Sequence, residues 1–200
     1  MSRDHTQPVI FYISAAADLM AERELLARLI AQLPVTLPWQ IVQSPVGFDE
    51  HSNLELVGIA DIHLLLLGGD IRAPIGLELY TARRFGKQPL AFLKRGLART
   101  SAGEIFRKES KLPWEPFTTA TDLSRQVQQW LVRHLVQQAS HYGLTVSEVE
   151  KLQALQTDET DAEQVEEGRI NQDVGRSAVI LSRERYIPSE GILVDGEANT

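Results

Sequence analysis

The 200-residue sequence contains no cysteine, which excludes disulfides, zinc ribbons and thiol nucleophiles. It also lacks a long hydrophobic run near its start. The apolar stretch "PVIFYISAA" (residues 8–16) is soon followed by Asp18, Glu22 and Arg23, too short for a signal peptide or a membrane span. A cytoplasmic protein without a membrane partner is therefore expected. No Walker A pattern, dinucleotide glycine fingerprint or nucleophile elbow is present, and no internal repeat. His63 opens an apolar run with no second histidine or carboxylate at ligand spacing, so neither a metal nor another cofactor is expected. A lysine or arginine stripe is missing too. The net charge is -7, and the eleven acidic residues and four arginines from Asp158 onward account for all of it. A neutral body without a basic stripe argues against nucleic acid as a partner.

What is present, at 43% hydrophobic residues, is enough for one good core. The run from Pro8 to Ala16 reads as a strand buried on both faces. A helix follows, with Asp18 as N-cap, Leu19, Leu26, Leu29, Ile30 and Leu33 as its apolar stripe, and Pro34 beyond its end. "WQIVQSP" is a second strand, "NLELVGIAD" a short helix, "IHLLLLGG" a third strand, "IGLELYTARRFGK" a helix and "QPLAFLK" a fourth strand. "AGEIFRKESK" adds a short helix and "WEPFTTA" an edge strand. The alternation predicts an α/β fold of three layers around a parallel sheet of about five strands. A long helix capped by Thr121 or Asp122 and ended by Gly143 comes next. The last expected helix begins at a capping box of Thr145 and Glu148. The α/β domain thus spans residues 1–156, followed by an acidic linker, 157–176, and an extended, β-like tail, 177–200, too small to fold alone.

The stretch "LLLLGGDIRAPIGLE" (residues 64–78) carries the candidate site. Ligands of open α/β sheets settle beyond the C-terminal ends of the strands. Gly68, Gly69 and Gly76 give the turn there a close backbone approach, while Asp70 and Arg72 supply one charge of each sign. Glu78 is expected in about the first turn of the next helix, where the dipole favours its ionised form. Such a carboxylate stabilises or attacks a ribosyl oxocarbenium ion. Tyr12 and Ser14 end the first strand and border the same crevice, so Glu78 is the candidate catalytic residue and the other seven the candidate ligand-binding residues.

Two blocks resemble a known family. "YIS" before "ADLMAER", and Glu78, Ala82, Gly86, Lys87 and Pro89, look like the strand-helix opening and the Glu-x-x-x-Ala-x-x-x-Gly-Lys-Pro signature of a bacterial domain family of unknown function. That family sits at the N-terminus of larger signalling or NTPase-containing proteins and is similar to TIR domains and nucleoside 2-deoxyribosyltransferases. The likeness covers about residues 8–94 and implies a three-layer flavodoxin/TIR-like fold. It departs at "AAA" after Ser14, where the family has hydroxyls and an aromatic, at Gly76, and at the inserted Gln88. In the catalytic relatives a glutamate on the corresponding helix performs the glycosidic chemistry, which the resemblance assigns to Glu78.

The resemblance implies a TIR-like signalling or defence module that self-associates or recruits a partner, with the tail tethering a partner domain. The alternative is an N-glycosidase or transferase acting on NAD or a nucleoside through Glu78. Between them stands a receptor that binds such a nucleotide without turning it over. The lost hydroxyls favour the module, and the retained Glu78 the enzyme.

Overall fold

The computed structural model describes residues 7–46, 51–71 and 73–156. Five parallel strands form one sheet in the order β2-β1-β3-β4-β5. They are β1 (Val9–Ala15), β2 (Trp39–Gln43), β3 (Ile62–Leu67), β4 (Leu90–Lys94) and β5 (Trp114–Phe117). Between and after them run α1 (Met20–Ala31), α2 (Leu54–Ile59), α3 (Ala73–Arg84), α4 (Ser101–Glu109), α5 (Ala120–Gln137), α6 (Ala139–Tyr142) and α7, residues 146–156. The alternation read in the sequence is therefore the fold. No helix among the described residues is long and apolar enough to cross a membrane. The acidic segment 157–176, the tail 177–200 and Arg72 lie outside the described residues.

The unbroken apolar runs become the interior strands β1 and β3, since only strands covered on both faces bury every side chain. All seven residues of β1 and all six of β3 are buried. Val9, Phe11, Ile13 and Ala15 face a core with Leu26 and Ile30 of α1 and Leu123, Val127, Leu131 and Leu135 of α5. On the other face, Ile10 and Tyr12 pack with Val57 of α2 and Ala82 of α3, while Leu65 packs with Ile75 and Leu79 of α3 and Phe106 of α4.

Two expected caps move. Asp18 makes no cap bond: Ala17–Leu19 form a 3-10 turn before α1, and the Asp18 carboxylate accepts instead from Gly69 N–H at 2.8 Å. Thr119, rather than Thr121 or Asp122, caps α5. Its hydroxyl accepts from Asp122 N–H at 3.1 Å, and Asp122 reaches back to Thr118 N–H at 3.0 Å. Gly143 does act as a left-handed stop, at φ +65°, but it ends α6, α5 having given way at Gln138. The Thr145–Glu148 box is present, with Glu148 N–H donating to the Thr145 hydroxyl at 3.3 Å. Glu148 also accepts from the hydroxyl and N–H of both Thr36 and Thr145 at 2.6–2.8 Å. These four donors, the Thr36 hydroxyl first, hold its carboxyl down at about 2 and tie α7 to the α1–β2 loop.

Candidate functional site

Tyr12 and Ser14, two apart on β1, project to the α2–α3 face. Glu78 reaches them from α3 as its sixth residue, one turn further into the helix than expected. Its position follows from helical spacing: Ile75, Leu79 and Ala82 form the apolar stripe, and Glu78 lies within it. The carboxylate is 0% exposed. Oε1 accepts from the Tyr12 hydroxyl at 2.8 Å and the Ser52 hydroxyl at 2.6 Å, and Oε2 from the Ser44 hydroxyl at 2.6 Å. Ser44 follows β2, where its N–H extends the sheet ladder to Ile13 O at 2.9 Å, and Ser52 precedes α2. Three hydroxyl donors thus hold the carboxylate.

Burial, and then the negative charge of Glu78, push the Tyr12 phenol well above the usual tyrosine range. Beside it lies His63, paired with Tyr12 in the sheet register and meeting its ring edge-on at 5.6 Å. The Ser14 hydroxyl is 2.8 Å from His63 Nε2, and Nδ1 has no hydrogen-bond partner among the described residues. Burial pushes this imidazole down to about 4, so it is neutral at pH 7.

The charged residues of the opening block all turn to the C-terminal rim of the sheet. Asp18 holds Gly69 beyond β3. Glu22, its side chain 4% exposed, meets Lys94 at the end of β4 at 2.6 Å. Arg23, 2% exposed, donates to the Ser44 carbonyl and to Gln43 Oε1 at 3.1 Å, both at the end of β2. One turn of chain thus fastens the ends of three strands. The motif was visible in the sequence, but the partners of its charges were not.

The glycine turn forms a second group, separate from Glu78. Gly69 O accepts from Thr100 N–H at 2.9 Å, and Asp70 accepts from the Thr100 hydroxyl at 2.5 Å. That hydroxyl caps α4. Gly76 lies about 200° around α3 from Glu78, with open space where its Cβ would be. Of the expected residues, Tyr12, Ser14 and Glu78 come together, Gly69 and Asp70 gather against α4, and Gly68 lies against Asp18 and Leu19. The sequence reading missed Ser44, Ser52 and Arg23. Cavities of about 370, 310 and 100 Å3 lie away from Glu78, none walled by it or by its hydroxyl partners.

Gly68 shows what its missing side chain is for. A Cβ there would stand 2.3 Å from Asp18 Oδ2, so the glycine makes room for the carboxylate that holds the Gly69 amide. Gly68→Ala is expected to cost about 1–2 kcal/mol by displacing Asp18 from the Gly69 amide. With Asp18 already replaced by alanine, the same change should cost about 1 kcal/mol less. Chemical denaturation of the four proteins of this cycle measures the coupling, and additive losses would contradict it.

Comparison of the chain with protein-family models, with curated proteins and with solved structures gives no match, so what it does is inferred from these residues.

Proposed function

We propose that this chain is a TIR-like interaction module of a bacterial signalling or defence system, cytoplasmic and acting by self-association. The observation that carries the reading is the contrast between the two sides of α3. Its inner side spends Glu78 on three internal hydroxyls. Its outer side leaves Leu77 49% and Tyr80 61% exposed, and at its seam with α2 Phe85 is 61% and Ile59 58% exposed. Large apolar and aromatic side chains grouped on one flank mark a protein interface, and tyrosine is a frequent anchor of such surfaces. The rim motif supports the same reading, because Asp18, Glu22 and Arg23 bind the strand ends where a ligand would otherwise settle.

Light scattering and sedimentation at rising concentration test it. The wild type is expected to assemble reversibly. Tyr80→Asp and Leu77→Asp should each weaken assembly by about tenfold or more while leaving the circular dichroism spectrum unchanged. A protein that stays monomeric at every concentration, or assembly indifferent to both substitutions, would overturn the proposal.

One observation favours the enzymatic alternative: Glu78 shares the C-terminal half of the sheet with the hydroxyls of Tyr12, Ser44 and Ser52, the half where α/β sheets hold their ligands. On that reading a ribose displaces Ser52, and the freed carboxylate attacks or stabilises the oxocarbenium carbon as the N-glycosidic bond of NAD or a nucleoside breaks. Base release by the assembled wild type, abolished in Glu78→Gln, would establish the enzyme and displace the pure module.

A further inference from the structure

The opposite end of the sheet carries a site that neither reading uses. Helices α3 and α4 both finish there. The end of α3 is a glycine-stopped turn: Lys87 N–H returns to Ala82 O at 2.9 Å and Gly86 N–H to Arg83 O at 3.0 Å, with Gly86 at φ +70°. Lys87 therefore leaves the helix at a fixed angle just before β4. After α4, the corresponding left-handed position is occupied by Lys111, at φ +51°. It is the only non-glycine residue with positive φ among the described residues. Glycine adopts that conformation at no steric cost, whereas a lysine there is strained. A strained backbone that carries a long cationic side chain into a cavity points to a use for the side chain.

The cavity has a volume of about 310 Å3, and its charged walls are Arg83, Lys87 and Lys111, with no acidic residue among its lining. Arg83 is fixed by donating to the Ser110 carbonyl. None of the three cations has a salt-bridge partner among the described residues. Neutralisation of the two helix ends does not account for them. Each helix C-terminus is worth roughly half a negative charge, so three cations leave an excess of about two positive charges in one concavity. The volume is at the small end for a ligand pocket and suits a compact anion better than a polymer.

We propose that this cavity binds a small phosphate-bearing molecule, with Lys87 and Lys111 as point-charge contacts and Arg83 as the fixed donor. Its phosphate oxygens replace the carboxylates that the walls lack. The neighbouring cavity shares Pro89 and Pro113 as walls and contains Trp130 and Phe92, so an aromatic or apolar portion of the ligand has an adjoining place to lie.

Titration calorimetry of the full chain with inorganic tripolyphosphate tests the site. One equivalent is expected to bind, and Lys87→Gln and Lys111→Gly should each weaken binding about five- to tenfold. Arg28→Gln, a charge change on the exposed side of α1, should leave it unchanged. Lys111→Gly should also raise the melting temperature, because it removes the strain together with the charge. Cosedimentation with phosphatidylcholine vesicles, with and without phosphatidic acid, identifies the source. Binding that requires the lysines and is displaced by tripolyphosphate marks a lipid headgroup, whereas tripolyphosphate binding without vesicle binding marks a soluble ligand. Failure to bind tripolyphosphate, or binding weakened as much by Arg28→Gln as by the lysine substitutions, would overturn the proposal.

Discussion

Replacing Glu78 with alanine is expected to destabilise the fold by about 4 kcal/mol. The estimate follows from what the carboxylate leaves behind. Tyr12, 0% exposed, would lose its carboxylate acceptor and keep only the neighbouring Ser52 hydroxyl, and loss of a buried hydrogen-bond partner costs about 1–3 kcal/mol. Ser44 is nearly as enclosed, though its hydroxyl can turn towards Ile13 O at 3.4 Å. Ser52 is half-buried and regains water. The vacated side-chain volume adds a cavity cost, and relief of a buried charge offsets part of the total. Glu78→Gln keeps the shape and one acceptor oxygen but turns an amide towards a hydroxyl, so about 1–2 kcal/mol is expected there. Chemical denaturation at neutral pH measures both. A carboxylate held in place for catalysis is commonly a liability whose removal stabilises the protein. Unchanged or increased stability in Glu78→Ala would therefore contradict the structural role and favour the enzyme.

The parts of this arrangement that the sequence reveals are those encoded within a few residues. The apolar run ahead of Gly68 and Gly69 reads as a strand, and the Thr145–Glu148 box is a local pattern of fixed spacing. The cap of α5 was misplaced because Thr118, Thr119, Thr121 and Asp122 offer nearly equal local chemistry, and the tertiary entry of the chain from β5 chooses among them. Gly68 and Gly69 did signal a close approach, but the approaching group is Asp18, 51 residues away. Glu78 could be seen on an apolar stripe. Its partners Ser44 and Ser52 could not, since a serine carries no periodicity and the contacts span 34 and 26 residues. Sequence pattern thus locates the buried acid, while the sheet order decides what meets it. The rim follows the same logic: Asp-Leu-x-x-Glu-Arg is a recognisable block, yet its charges find the ends of three different strands only after β1 has been placed between β2 and β3.

His63 gives the second large effect, which is read from pH. Its folded-state value is about 4 against 6.5 when unfolded, and burial is the cause. Between those values the unfolded chain takes up a proton that the folded chain refuses, so stability falls as pH falls. The neutral imidazole contributes fully above pH 6.5, and by pH 4 a difference of 2.5 pH units amounts to about 3 kcal/mol. The groups around it give no relief: Ser14 offers a hydroxyl, Tyr12 a ring edge, and Nδ1 has nothing to receive a second proton's charge. His134 is also lowered, by burial and then by His141, and adds in the same direction. Glu148 joins only at the foot of this window, since its contribution begins to be lost as pH falls through 4.5 and is gone only near 2. Stability measured by denaturant at intervals from pH 7 to pH 4 should therefore decline with a slope that approaches one proton from His63 alone. His63→Gln, which keeps a partner for Ser14, and His63→Phe, which keeps the ring against Tyr12, are expected to differ in absolute stability but to lose the same share of that slope. If both variants retain the wild-type slope, the imidazole is charged within the folded protein, and the buried polar layer must be open to water where the structure closes it.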